Sequence, residues 1–345
     1  MKDLKSLTLS QLKEEMVNIG EKPFRAKQLY EWMHVKLARD YDEMTNIPKS
    51  LIVKCRENYQ YTSLKEAAVQ TSAIDGTKKF LFELSDGNFV ESVWMKYHHG
   101  NSVCISSQVG CRMGCRFCAS TLDGLERSLL PGEMLDQIYA IERHTGERVS
   151  NVVVMGTGEP LDNYDNLLQF IHMLTDENGL NISQRNVTVS TCGIVENMRR
   201  LADEKLQITL ALSLHGSTQE KRASLMPIAN KYDIYDVIEA CRYYFDKTGR
   251  RVTFEYSLVG GVNDTDEDAD NLAKLVGDLN CHINLIPVNP IKERDYVESE
   301  KKNVMKFKNK LERKHINATI RRELGRDIDG ACGQLRRRKM SNMMQ

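Results

Sequence analysis

Short apolar runs rich in Val, Ile and Leu recur from Ser102 onward, at 102–106, 151–155, 187–191, 207–213, 252–259, 282–287 and 317–321. Between them lie segments whose apolar residues return every three or four positions, near 132–144, 164–175, 194–204, 232–247, 266–278 and 299–314. A continuous apolar run suits a strand buried on both faces, and the three-to-four period suits an amphipathic helix. Regular alternation of the two predicts a parallel sheet with helices outside it. Six or so such units make the expected fold α/β, a partial, open (β/α)6 barrel.

Ahead of the barrel the pattern changes. Leu9, Leu12, Met16 and Ile19 mark one helix face, and Gly20 ends that helix. A second helix follows Pro23, with Ala26, Leu29, Met33 and Leu37 on one side, until Asn46-Ile47-Pro48 breaks it. Residues 78–97 read as a β-hairpin around Ser85-Asp86-Gly87. Glu91 sits inside its second strand, where most glutamates face solvent. The expected organisation is a helical accessory unit at 1–52, a hairpin linker region at 53–100 and the barrel at 101–345.

In a parallel barrel, chemistry belongs at the C-terminal ends of the strands, and the unusual residues cluster there. Cys111, Cys115 and Cys118 follow the first strand with the spacing C-x3-C-x2-C. Thiolates so close in sequence can converge on one soft metal centre. A zinc site would want a fourth Cys or His nearby, and none follows this loop at finger spacing. An iron–sulfur cube normally takes four thiolates, so three would leave one iron open to an outside ligand. Phe117 stands ready to shield the centre, and Gly110 and Gly114 let the backbone turn tightly around it. Gly156-Thr157-Gly158-Glu159-Pro160 follows the second strand. Ser190 ends the third, Ser213-Leu214-His215 the fourth, and Asn289-Pro290 follows the sixth. Single serines at strand ends are usually turns or caps. A lone histidine such as His215 ligates, acts as a base or simply packs.

The totals place the chain among ordinary soluble proteins: 345 residues, 41% hydrophobic, 28% charged. No apolar run approaches bilayer-spanning length, and the N-terminus lacks a secretory h-region. Nine cysteines, an odd number, argue for a reducing compartment rather than a disulfide framework. A cytoplasmic location is expected. The formal charge of zero hides an asymmetry, because residues 301–345 carry fourteen Lys and Arg against four Asp and Glu. Such a basic segment suits a polyanion such as RNA. Lys22, Arg25 and Lys27 offer a second, smaller basic surface on the helical unit.

The three-cysteine loop resembles that of the radical S-adenosylmethionine (SAM) enzymes. Cys104-Ile105-Ser106-Ser107-Gln108-Val109-Gly110-Cys111, Met155-Gly156-Thr157-Gly158-Glu159-Pro160-Leu161, Ser213-Leu214-His215, Asn284-Leu285-Ile286-Pro287 and Ala331-Cys332-Gly333-Gln334-Leu335 follow in order. Together, from about Phe24 to Leu335, they resemble the RlmN family of dual-specificity RNA adenosine-C2 methyltransferases. Departures are small: Thr157 stands where some relatives have methionine, and Cys192 where many have another residue.

The resemblance implies one [4Fe-4S] cluster held by Cys111, Cys115 and Cys118, with SAM on the open iron. It implies SAM contacts from Gly158, Glu159, Ser190, Ser213, Leu214, His215 and Asn289. Cys332 would carry a methyl group as S-methylcysteine. Cys104 would resolve the product and form a transient disulfide with Cys332, and Glu91 would accept a proton. Two SAM molecules are consumed per turnover, and a flavodoxin- or ferredoxin-like protein supplies single electrons. The implied substrates are one adenosine of 23S rRNA and the adenosine beside the anticodon in transfer RNA. A monomer without membrane association is expected. A relative that methylates C8 of the same ribosomal adenine would share the cluster and both cysteines; the intact Glu159-Pro160-Leu161 leans towards C2.

Overall fold

The computed structural model describes residues 1–98, 100–288, 296–328 and 333–343. Ten strands form one sheet whose spatial order follows the chain: β1 (Lys65–Thr71), β2 (Lys78–Glu83), β3 (Phe89–Tyr97), β4 (Gly100–Ile105), β5 (Val149–Val154), β6 (Val187–Thr191), β7 (Thr209–Ser213), β8 (Val252–Leu258), β9 (Cys281–Pro287) and β10 (Ala318–Ile320). From β4 to β10 every neighbouring pair is parallel, while β1 to β4 pair antiparallel. The seven parallel strands coincide with the seven apolar runs. β1 and β10 are its edges, so the barrel stays open. A polar strand such as Lys65–Thr71 suits an edge, because charge there discourages pairing with another chain.

Helices α4 (Pro131–Thr145), α5 (Tyr164–Leu174), α6 (Val195–Asp203), α8 (Ile234–Thr248), α9 (Asp266–Val276) and α10 (Lys301–Arg313) occupy the predicted intervals. Their ends follow local chemistry. Pro131 opens α4, where its missing N–H costs nothing, and Gly146 closes it in the left-handed conformation. Thr265 and Asp268 cap α9 reciprocally. A short helix, α7 (Gln219–Leu225), sits between β7 and α8, and α11 (Gln334–Met343) ends the described chain.

The N-terminal unit holds α1 (Leu9–Asn18), α2 (Phe24–His34) and a third helix, α3 (Lys49–Asn58). α3 starts just after Pro48 and runs across the expected 52/53 boundary. Only Leu51 and Cys55 of α3 are buried, which explains why its apolar period is faint. Leu12, Met16, Leu29 and Met33 join Leu135 and Ile138 of α4 in one continuous core. Lys5 Nζ reaches Asp136 Oδ1 at 2.8 Å with both side chains fully buried, and His34 Nδ1 lies 2.7 Å from Tyr139 Oη. The accessory unit is therefore fused to the barrel by apolar packing and by buried polar contacts. No helix among the described residues is long and apolar enough to cross a membrane.

Candidate active site

The three-cysteine loop leaves β4 through a small ribbon, Gln108–Gly110 paired with Leu125–Ser128. Gly110 has φ 75°, and a Cβ there would lie 2.0 Å from the carbonyl oxygen of Gly124. That carbonyl accepts the Cys111 N–H at 2.8 Å. Thr121 Oγ1 donates to the carbonyls of Cys115 (3.1 Å) and Cys118 (3.0 Å), and the Arg116 N–H donates to Leu225 O at 2.9 Å, tying the loop to α7.

Cys111 and Cys115 are buried and Cys118 half-buried. Burial pushes the Cys111 thiol up to about 12, with the charges of Glu159 and Cys118 adding to it. Burial raises Cys115 too, and Cys118 and Cys111 are its next largest influences, so the three sulfurs sense one another. No three acidic, His or Cys side chains among the described residues form a group fit for a single metal ion. A cube differs in spreading its ligands over separate irons. Leu225, Met226, Val259 and Val288 pack with Cys115, and Met113 and Phe117 lean on the same cluster, giving the dry shell such a centre needs. The fully buried Arg222 guanidinium has Nε and Nη1 without hydrogen-bond partners. A buried orphaned cation that feels the Cys115 sulfur fits an anionic iron–sulfur centre.

The Gly156–Pro160 segment packs against the chain leaving β4. A Cβ on Gly156 would lie 2.7 Å from Ile105 O, and one on Gly158, at φ 111°, would lie 2.6 Å from Gln108 Cβ. These glycines serve close chain contact. The Glu159 carboxylate is buried and accepts the N–H of Leu161 (3.0 Å) and of Cys192 (2.8 Å), joining the loops after β5 and β6. Desolvation raises its pKa, and the N–H donors from Cys192 and Leu161 oppose that rise.

A cavity of ≈ 460 Å³ opens over the strand ends, and Cys104, Cys118, Ser190, Ser213 and His215 all line it. Ser190 Oγ and Ser213 Oγ stand 3.4 Å apart. Leu214 is fully buried and gives its N–H to Glu255 O at 3.0 Å. His215 has φ 52°, and its Nδ1 accepts the Ser257 N–H at 2.9 Å, so Nε2 carries the proton. Burial, then the charge of Arg222, lowers its pKa to about 3. It is a neutral donor rather than a base. Phe117 meets its ring edge-on at 4.8 Å between centroids. Asn289 and Cys332 lie outside the described residues.

Sequence reasoning passed over several lining residues. Glu255 lies within strand β8, buried, and accepts from Asn284 Nδ2 at 2.9 Å; a lone acid in an otherwise uncharged strand is the signal that marks it. Arg321, Arg322 and Arg326 also line the cavity and are exposed. On the basic segment, Lys306, Lys310 and Lys314 are instead ion-paired with Asp266 and Asp270, at 2.6, 2.7 and 3.0 Å.

Glu91 does not face solvent. It is 3% exposed and its Oε2 lies 2.8 Å from the buried Lys79 Nζ. The same oxygen accepts the Gly333 N–H, and Oε1 accepts the Arg336 N–H, both at 2.6 Å. Gly333 (φ 82°) packs on the residues after Cys118, since a Cβ there would lie 2.9 Å from Ser120 N. Upstream, Asp327 accepts from Ser72 Oγ (2.6 Å) and the Ala73 N–H (2.7 Å), and Asp75 accepts the Gly325 N–H at 2.9 Å. Ile328 and Gln334 line the cavity. Both flanks of residues 329–332 are thus fastened to β1–β3 and their turns.

Two family models match the chain: the radical SAM superfamily over residues 105–276, and the ribosomal RNA large subunit methyltransferase N-terminal domain over residues 2–60. A probable dual-specificity RNA methyltransferase RlmN from Lachnospira eligens is 64% identical, over 99% of this chain and 98% of its own length. One of the same description from Clostridium novyi is 52% identical over 99% of this chain and all of its own. The crystal structure of a radical SAM methyltransferase from Sphaerobacter thermophilus superposes with a TM-score of 0.93 at 41% identity, covering 97% of this chain and 99% of that one. With the cluster loop, the open parallel sheet and the N-terminal unit all matched, the chain belongs to the RlmN family of dual-specificity RNA methyltransferases, within the radical SAM superfamily.

Proposed function

We propose that this chain methylates C2 of one adenosine in 23S rRNA and of the adenosine beside the anticodon in transfer RNA, through a methyl group carried on Cys332. The observation that carries this reading is the shared cavity. Cys104 and Cys118 line it together with Ile328 and Gln334, which flank the segment that contains Cys332.

C2 of adenine is electron-poor and its C–H is not acidic, so simple nucleophilic methyl transfer fails there. When bound and reduced by one electron, the cluster supplies homolytic cleavage of SAM to a 5′-deoxyadenosyl radical. Cys111, Cys115 and Cys118 would hold that cluster. Gly158, Glu159, Ser190, Ser213, Leu214, His215 and Asn289 would seat SAM, with the serine hydroxyls and the His215 Nε2–H as donors. Cys332 takes its methyl group from a first SAM. A hydrogen atom passed from that methyl to the 5′-deoxyadenosyl radical leaves a carbon radical that adds to C2, and the adduct then gives up one electron and the C2 proton to restore the aromatic ring. Attack by the Cys104 thiolate on the Cys332 sulfur breaks the carbon–sulfur bond, the released carbon takes up a proton as the new methyl group, and the disulfide left behind is reopened by an external reductant. Glu91 is the family's proton acceptor. Its three donors here suit it equally to placing Gly333, one residue beyond Cys332.

A stacked base cannot reach the cavity, so the target adenosine is unpaired or extruded. Arg321, Arg322 and Arg326, exposed at the cavity, suit the phosphates beside it. A flavodoxin- or ferredoxin-like donor, a monomeric state and a cytoplasmic location complete the reading. The test is anaerobic reaction of the reconstituted protein with an rRNA hairpin and SAM, followed by nucleoside mass analysis. The expected product is 2-methyladenosine, and Cys332→Ala should keep the cluster's absorbance yet yield none. Formation of 8-methyladenosine alone, or full activity in Cys332→Ala, overturns the proposal.

A further inference from the structure

Arg222 is among the largest fully buried side chains in the molecule, at 0% exposure. A guanidinium brings five donors and a permanent charge. Here Nη2 donates to the backbone carbonyl of Cys192 at 2.6 Å, and Nε and Nη1 have no partner. The backbone fixes the side chain in place. A Cβ on Gly216 would lie 2.4 Å from the Arg222 nitrogen, and one on Gly193 would lie 3.1 Å from Nη2. Three residues on, Leu225 O accepts the N–H of Arg116 from the cluster loop. Leu225, Met226, Cys192 and Cys115 share one apolar cluster.

Burial works against this charge. The groups that favour it are, in order, the sulfurs of Cys192, Cys115 and Cys241, and only then the carboxylate of Asp233. A lone cation in such a place is strongly unfavourable unless an anion comes to it. A cube held by three thiolates is such an anion. It gains one further negative charge when reduced, and net charge, hydrogen bonding and exposure set its potential.

We propose that Arg222 is the buried counter-charge of the iron–sulfur cluster, set beside the Cys115 ligand so that the reduced, more negative state is favoured. One electron enters from the external donor, and no proton need follow it, because Arg222 is already charged. The inference rests on the proposed cluster with Cys115 among its ligands, and it stands or falls independently of which adenine carbon is methylated.

The experiment is an anaerobic redox titration of the reconstituted full-length protein, followed by electron paramagnetic resonance. Arg222→Gln can still donate to the Cys192 carbonyl but carries no charge. Arg222→Lys keeps the charge without the planar fork. In Arg222→Gln the ratio of reduced to oxidised cluster at a fixed poise should fall about tenfold or more, a shift of about 59 mV or more to the negative. Arg222→Lys should stay close to wild type. An unshifted potential in Arg222→Gln at full iron content overturns the proposal, as does an equal shift in both variants. A second measurement needs no cluster. If the charge awaits an anion, apo Arg222→Gln should melt no lower than apo wild type. Should both variants fail to fold as apoproteins, Arg222 is part of the empty scaffold and the proposal is wrong. Loss of iron binding in Arg222→Gln, with retention in Arg222→Lys, would support it.

Discussion

Both oxygens of Glu91 accept backbone N–H groups, and one also meets Lys79. The cost of disturbing this arrangement is decided by burial, since removing one partner leaves the other charge stranded, an effect of about 3–5 kcal/mol. Lys79→Met should therefore loosen the first turn of α11 as Glu91→Gln does, although no role in proton transfer is proposed for Lys79. Amide hydrogen exchange at 333–337 checks this. Faster exchange in both variants marks Glu91 as a positioning residue. Unchanged exchange in Glu91→Gln, with methylation alone lost, would leave it only the proposed role of proton acceptor. At this scale the sequence is uneven. The three cysteines were legible because their spacing is local. Arg222 was not, because an arginine in an amphipathic stretch reads as surface until the fold surrounds it. The burial of Glu91 was hidden for a related reason, as its backbone N–H donors lie more than two hundred residues away in Gly333 and Arg336.

The antiparallel strands β1–β3 look like a connector in the sequence, but in the fold they fasten the C-terminal segment. Asp327 is held by Ser72 and Ala73, Gly325 by Asp75, and Gly333 by Glu91. The N–H donors at Gly325 and Thr77 hold the Asp75 carboxyl down, at about 2, against the upward pull of burial, so the tie persists across the working pH range. Asp327→Ala should release the upstream flank alone. Limited proteolysis is expected to cut near 325–328 faster in that variant than in wild type, with the sheet intact by circular dichroism. Equal cleavage rates would mean the tie holds nothing. The parallel strands and their helices were readable because each buries a long apolar run or stripe. β1 escaped because an edge strand half-exposed along Lys65–Thr71 has no such alternation. α3 escaped because Pro48 looked like an end rather than a start.

Across the whole molecule the accessory unit and the barrel share one core, which the sequence, read in segments, divides in two. Two consequences follow from what lies in that seam. His34 is fully buried beside Tyr139, and desolvation, with the charge of Lys5, lowers its pKa from 6.5 to about 3. The unfolded chain binds this proton first, so its contribution is complete above pH 6.5 and is lost as pH falls towards 3. Between pH 6.5 and 5 that amounts to about 2 kcal/mol. The melting temperature of wild type should drop over this interval, and that of His34→Gln should drop less; parallel curves would show that His34 is not the titrating group. The second consequence concerns removal of residues 1–60. Leu135, Ile138 and Tyr139 would face water, and Asp136 would lose Lys5, keeping only Arg143 at 3.4 Å and the Leu64 N–H at 2.7 Å. Asp136 would meet water with them, so the loss is chiefly of apolar burial, to be set against a total stability of about 5–15 kcal/mol for a typical domain. Three apolar side chains newly exposed cost about 1.5–3 kcal/mol each. The sum consumes much of the margin, so residues 61–345 alone should be insoluble or show no cooperative unfolding. Lys5→Met in the full chain should lower the denaturant midpoint without changing the slope. A truncated barrel that melts cooperatively near the wild-type temperature would mean that the seam is a docking surface between independent domains, and that the buried ion pair contributes little to holding them.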